Sequence, residues 1–224
     1  MKLTFLGNGS AFNYDAYNTS AYFIFDNNLF LFDCGEGICN RLLKKNVLDN
    51  VNNIYIFITH LHSDHIGSLE ALIYYNQKFL HKGFFIFYPK MSRLKRLLQL
   101  TGVDFPFEIY PIPNELCGFK IEAVSQKHIF GSYGYFFYGD FSFFYSGDTS
   151  KVNVRSVKEL KNGKIDKIYH EVTCSTSSIH THIDKLRKSF SPILRGKVCL
   201  MHFDNKELFK QCLLDGFDVA EVEE

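Results

Sequence analysis

Ile54 to Gly67 reads Ile-Tyr-Ile-Phe-Ile-Thr-His-Leu-His-Ser-Asp-His-Ile-Gly, and it narrows the possible folds further than any other stretch. A run of β-branched and aromatic residues is the mark of a buried strand. Four side chains able to hold a metal, His60, His62, Asp64 and His65, follow it at once. Two residues apart on an extended chain, His60 and His62 leave the same face and can reach one ion. Asp64 and His65 are adjacent and would diverge on a strand, so the chain must turn there. Ile66, Leu69, Leu72 and Ile73 then recur at helical spacing. This predicts a strand-to-helix turn with Asp64 and His65 near a helix N-terminus, an arrangement that can serve two neighbouring ions. The alternative is a polar loop of solvated histidines. Three of the nine histidines lie within six residues beside an aspartate, so a metal site is the better account.

A chain of 224 residues, 46% of them hydrophobic, can bury a proper core as one domain over 1–224 without disulfides or a structural metal. The net charge of +1 gives no general attraction for long nucleic acid or an acidic membrane. Cys34, Cys39, Cys117, Cys174, Cys199 and Cys212 form no Cys-x-x-Cys pair, and Met1 to Phe5 lacks a secretory apolar core. Reduced thiols in a cytoplasmic protein are therefore expected, with Cys34 and Cys199 packed in or beside strands. No eighteen-residue apolar run is present to span a membrane.

Strands are expected at Leu3 to Leu6, Tyr22 to Phe25, Leu29 to Phe32, Phe84 to Tyr88, Phe119 to Val124, Tyr133 to Tyr138, Phe141 to Tyr145, Lys164 to Tyr169 and Lys197 to Met201. Asp26-Asn27-Asn28 and Gly139-Asp140 are hairpin turns. Gly7-Asn8-Gly9-Ser10 reads either as a loop that lines the site or as a plain turn. Asp33 is a candidate partner for a ligand histidine, or else a turn residue. Arg93, Lys95 and Arg96 make Ser92 to Leu100 a basic helix, read as a solvated face, and the alternating aromatics of 133–145 are read as core, with Tyr133 a possible exception. His128, Asp148, His170-Glu171 and His202 follow strands, and His180-Thr181-His182 follows Ser- and Thr-rich loop residues. Strands alternate with helices in two successive halves. That pattern argues for an α/β protein, a four-layer αββα sandwich with metals held by loops at one edge.

On these residues the chain resembles the metallo-β-lactamase superfamily over essentially its full length. Thr59-His60-Leu61-His62-Ser63-Asp64-His65 matches the His-x-His-x-Asp-His signature, Ser146-Gly147-Asp148-Thr149 the bridging-aspartate motif, and His128 and His202 the remaining histidine positions. The resemblance implies one divalent metal at His60, His62 and His128, a second at Asp64, His65 and His202, and Asp148 bridging them. Zinc suits this donor set, with manganese as the alternative. Two such ions can hold a hydroxide that attacks phosphorus.

Leu6 to Ala11, Asn18-Thr19-Ser20, His170-Glu171-Val172-Thr173 and His180-Thr181 look like the RNase Z-like phosphodiesterases. That likeness makes Asp64, Glu171 and His180 the candidate catalytic residues, with His180 oriented by Glu171 as proton donor. Only eight residues separate Glu171 from His180, a departure from the family that keeps His182 as an alternative donor. The Gly- and Pro-rich arm with which RNase Z enzymes grip tRNA is absent from residues 75–125. A folded RNA is thus a poorer substrate than a small phosphodiester.

The compact anti-Pycsar phosphodiesterases look most similar, through Glu171 to His182, Asp184-Lys185-Leu186, Leu200-Met201-His202 and Gly216-Phe217. They imply a cyclic mononucleotide substrate and a homodimer in which the His180 loop completes a neighbouring site. Alternatives are a short tRNA 3′-processing endonuclease, a lactonase or thioester hydrolase, and a nucleotide sponge without turnover.

Overall fold

The computed structural model describes residues 2–13, 15–105, 107–176 and 179–222. The first half runs β1 (Thr4–Gly7), β2 (Ser20–Phe25), β3 (Asn28–Phe32), α1 (Ile38–Lys44), β4 (Asn53–Phe57), α2 (Ser63–Ile66), α3 (Leu69–Tyr75), a π-helical turn (Asn76–Leu80), β5 (Gly83–Phe87), α4 (Met91–Leu100) and β6 (Ile109–Tyr110). The second runs β7 (Glu115–Leu116), β8 (Phe119–Ser125), β9 (Tyr133–Tyr138), β10 (Phe143–Tyr145), α5 (Val154–Lys161), β11 (Lys167–Glu171), α6 (Ile183–Ser189), α7 (Pro192–Arg195), β12 (Val198–Met201), α8 (Lys206–Leu214) and β13 (Asp218–Val219).

The two sheets have the orders β1-β2-β3-β4-β5-β6 and β13-β12-β11-β10-β9-β8-β7. In each, antiparallel strands come first in the chain and lead into parallel ones: β3, β4, β5 and β6 in the first half, β10, β11, β12 and β13 in the second. Asp26 and Asn27 take φ of 48° and 57°, the pair of left-handed residues that a tight two-residue hairpin needs between β2 and β3.

Alternation along the strands produces the layering. On β3, Leu29 and Leu31 face the helices of their own half, where they join Ile54, Ile56, Leu69 and Leu72. Phe30 and Phe32 face the other way into an aromatic layer between the sheets, shared with Phe23, Phe57, Phe137, Phe143 and Tyr145. Phe32 stacks on Tyr145 at 4.7 Å and Phe57 meets Phe137 edge-on at 5.1 Å, so these rings lock one sheet to the other. A third cluster, with Ile168, Leu186 and Leu200, seats the helices of the second half. The four αββα layers are complete.

The helix expected from Ile66 onward is split. Gly67 has no room for a side chain, since a Cβ there would lie 2.6 Å from the Ser63 carbonyl oxygen and 2.6 Å from Glu36. The Ser68 hydroxyl donates to the Gly35 carbonyl at 2.6 Å and accepts from Cys39 N–H at 3.0 Å. These contacts leave α2 as one separate turn that carries Asp64 and His65. All six cysteines are free, and among the described residues no helix is long and apolar enough to cross a membrane.

Candidate metal centre

Strand ends assemble the site, as is general for parallel α/β sheets. His60 and His62 follow β4, His128 follows β8, Asp148 follows β10, Glu171 ends β11 and His202 follows β12. His202 (φ 63°) and Asp33 (φ 61°) hold left-handed backbone, a conformation uncommon for residues with a side chain and concentrated at functional sites.

Two donor groups that share Asp148 result, beside a third of Glu171, His180 and His202. His60, His62, His128 and Asp148 form the first; Asp64, His65, Asp148 and His202 form the second; within each group every donor atom lies within 4.8 Å of the others. In the first, His62 Nδ1 stands 3.0 Å from His60 Nε2 and 3.1 Å from His128 Nε2, and Asp148 Oδ2 is 3.8 and 3.7 Å from those two Nε2 atoms. In the second, His65 Nε2 lies 3.3 Å from Asp64 Oδ2 and 3.4 Å from Asp148 Oδ1, and His202 Nε2 lies 3.3 and 3.4 Å from Asp64 Oδ2 and Asp148 Oδ2. Ligand bonds of about 2.0–2.1 Å in a tetrahedron set donors roughly 3.4 Å apart, so both groups fit a first-row divalent cation. One orphan atom supports the fit. His65 Nε2 is buried with no hydrogen-bond partner among the described residues, while Nδ1 of the same ring donates to Asp33 Oδ2 at 2.8 Å.

The outer nitrogens of three ligands are held. Besides the Asp33 contact of His65, the Thr59 hydroxyl lies 3.1 Å from His60 Nδ1, and His128 Nδ1 donates to the Ile179 carbonyl at 2.9 Å. Each contact turns Nε2 inward. Asp33 also accepts from Thr59 N–H at 2.7 Å and from its hydroxyl at 2.8 Å. Asn is an apt replacement at Asp33, because it too tolerates the left-handed backbone there. Asp33→Asn is expected to weaken metal binding about 10- to 100-fold, read by competition with a chromogenic chelator.

Electrostatics divide the groups. Burial lowers the pKa of His60, His62 and His128, leaving neutral imidazoles ready to ligate. At His202 burial acts in the same direction, but the Asp148 charge and the Asp64 hydrogen bond outweigh it and push the pKa up to about 9. His65 is likewise raised, against burial, by Asp148, Asp33 and Asp64. The carboxylates of the second group thus favour charged imidazoles at His65 and His202, and a cation entering it competes with protons there.

Beside the donors stands a dyad. His180 Nδ1 lies 3.2 Å from Glu171 Oε2 and 3.8 Å from Asp148 Oδ2. Glu171 Oε1 accepts from Thr149 N–H at 3.0 Å and Thr181 N–H at 2.9 Å. Burial raises the pKa of Glu171, yet two backbone donors on one oxygen are the environment of a carboxylate. At His180 burial is outweighed by the Glu171 hydrogen bond and charge, so its pKa is raised and the charged ring is favoured. His182 is placed elsewhere: its Nδ1 accepts from Asp184 N–H at 3.2 Å as the cap of α6, and it belongs to no donor group.

His170 points away from the site. Its Nδ1 donates to the Glu171 carbonyl at 2.7 Å, its Nε2 is buried without a partner among the described residues, and burial lowers its pKa to about 4. The unfolded chain takes up this proton near pH 6.5 and the native state does so only near 4. Stability is thus fully present above about pH 6.5 and is lost as pH falls toward 4, by about 3 kcal/mol for this residue. Urea unfolding of wild type and His170→Gln with chelator present should show the two profiles converging over that window.

Thr59 and the Ile179, Thr149 and Thr181 backbone groups were not foreseen as parts of the site. Thr59 carried one signal, a polar residue that closes an apolar strand. The backbone groups carried none.

A family model described as Anti-Pycsar protein Apyc1 matches residues 1–217. Anti-Pycsar protein Apyc1 of Bacillus phage 010DV004 is 30% identical, over 93% of this chain and 91% of that protein. Ribonuclease Z of Methanocaldococcus jannaschii is 32% identical over 77% of this chain, and that of Staphylococcus carnosus 30% over 84%. The chain spans only 60% and 63% of the length of those two ribonucleases. Among solved structures, a diphosphatase from the PhnP family superposes with a TM-score of 0.74 at 19% identity, covering 99% of this chain and 95% of that one. The metallo-β-lactamase fold protein YhfI from Bacillus subtilis superposes with 0.73 at 16%, covering 97% and 94%. Human tRNase Z, short form, does so with 0.71 at 21%, covering 100% and 97%. At these identities the structures establish the fold.

Proposed function

Since the chain belongs to the Anti-Pycsar protein Apyc1 family, in the RNase Z-like branch of the metallo-β-lactamase superfamily, we propose that it is a metal-dependent phosphodiesterase that opens a cyclic nucleotide, a cyclic mononucleotide before a dinucleotide. The observation that carries this reading is the Glu171–His180 pair standing at Asp148, the residue common to both donor groups.

His60, His62, His128 and Asp148 would hold one divalent ion and Asp64, His65, Asp148 and His202 a second, zinc before manganese. Bound there, such ions supply Lewis acidity and a water of lowered pKa. The chain's own residues handle the other proton. As water adds to phosphorus and the ring P–O bond breaks, the leaving ribose oxygen takes a proton from imidazolium His180. Glu171 favours that imidazolium beforehand and keeps the ring oriented, and the Thr149 and Thr181 N–H groups keep Glu171 ionised. The product is a linear nucleoside monophosphate.

The lack of an arm in residues 75–125 and the net charge of +1 support a small substrate over a folded RNA. A homodimer and a reducing cytoplasm complete the proposal. The likeness to ribonuclease Z favours a second reading, cleavage of precursor tRNA. Metal-loaded protein incubated with cyclic AMP, GMP, CMP and UMP, and separately with precursor tRNA, decides between them. Linear nucleotide from at least one cyclic substrate is expected. Release of a tRNA trailer alone would give the second reading, and stoichiometric retention of uncleaved nucleotide would make the protein a sponge.

A further inference from the structure

We infer that the turn Ile129–Ser132 is a nucleobase platform, in which Phe130, backed by Lys90 and Arg93, stacks the base of a nucleotide whose phosphate lies at the metal donors. The inference deepens the reading of the site as a nucleotide site and rests on it.

Phe130 lies two residues beyond the donor His128, at the tip of the turn, with 73% of its surface in solvent. Scattered exposed apolar residues need no explanation. This one is held in place from several sides. Ser132 N–H donates to the Ile129 carbonyl at 3.2 Å, and Ile129 N–H to the Ser132 hydroxyl at 3.3 Å. From below, Arg93 donates to the Phe130 carbonyl at 2.7 Å and the Tyr88 hydroxyl to the Gly131 carbonyl at 2.7 Å. Gly131 takes φ of 90°, and a Cβ on it would lie 2.8 Å from the Tyr88 hydroxyl, so the ring is carried on a fixed support.

Charge fits the same ligand. The Arg93 guanidinium stands 5.0 Å and the Lys90 ammonium 5.5 Å from the Phe130 ring centroid. A ring so flanked offers a π-face to a base next to cations that suit a phosphate. Lys90 and Arg93 lie at the start of α4, beyond the C-terminal end of β5, and β5 is the direct neighbour of the strand that leads to His60. Platform and donors therefore share one edge of the sandwich. Arg93 lies on the exposed basic face that the sequence assigns to it and also serves as the strut of this turn.

The test is equilibrium binding by calorimetry to the metal-loaded full chain, with adenosine 5′-monophosphate, uridine 5′-monophosphate and ribose 5-phosphate as probes. Phe130→Ala is expected to weaken both nucleotides roughly 5- to 150-fold, the range for one base on one aromatic ring, and to leave ribose 5-phosphate unchanged. Phe130→Trp should restore nucleotide binding. The inference is overturned if wild type binds ribose 5-phosphate as tightly as the nucleotides, if it binds none of the three, or if the alanine variant weakens all three alike or none. Because binding and not turnover is read, a protein that hydrolyses no cyclic nucleotide yet loses base-dependent affinity on Phe130→Ala would refute the proposed reaction and leave the platform standing.

Discussion

His180→Ala is expected to lower kcat on a nitrophenyl phosphodiester by about 10²- to 10⁴-fold, the usual worth of a positioned proton donor, with bound metal unchanged. Its imidazole meets Glu171 at 3.2 Å and is drawn toward the charged form by that carboxylate, so its loss removes a proton source. Glu171→Gln should lower kcat as well, because an amide cannot favour the imidazolium, and should shift the alkaline limb of the pH profile to lower pH. His182→Ala provides the contrast. It deletes the α6 cap, which weakens stability by about 1 kcal/mol, and leaves kcat near wild type. Rates and metal content of the three variants, measured together, decide the assignment; a His182 variant as slow as the His180 variant would refute it.

Removing the Asp148 carboxylate should have the other large effect. It is the residue common to both donor groups, within 3.4 to 3.8 Å of His60, His65, His128 and His202. In wild type, free metal at 1,000 times its Kd should raise unfolding free energy by about 4 kcal/mol per independent site. Asp148→Ala should abolish most of that gain and bring turnover to background, whereas Asp64→Ala, which touches the second group alone, should keep part of the gain. Metal analysis after gel filtration, together with melting with and without added zinc, reads both. An Asp148 variant that retains full metal stoichiometry would refute the shared role.

The fold was legible because its signals are local. Alternating Leu29, Phe30, Leu31 and Phe32, the Asp26-Asn27 turn and the His60–His65 cluster each declare themselves within a few residues. His128, Asp148 and His202 are single residues that only their place after strands marks, and likeness to a family supplies their roles as ligands. The split at Gly67 was hidden because Glu36, which crowds that glycine, lies 31 residues earlier in the chain. Spacing alone kept both His180 and His182 as candidates. Their surroundings separate through backbone N–H groups, with Thr149 and Thr181 donating to Glu171 and Asp184 to His182. A backbone amide has no letter in the sequence, so partners of that kind become visible only once the chain is folded.

The distribution of donors along the chain also gives the site an order of assembly during synthesis. His60, His62 and His128 precede Asp148, so the first donor group is complete once the chain has been made to that residue; the second waits for His202, after β12 has taken its place beside β11. In a nascent chain stopped between those points the first donors would all be made, and the Ile179 carbonyl that holds the His128 ring would follow before the second set closed. The earlier set is the one whose histidines burial keeps neutral, and the later is the one where a cation competes with protons. If each group takes a cation, the first is expected to load before the second, read by zinc titration of the folded chain against a chelator.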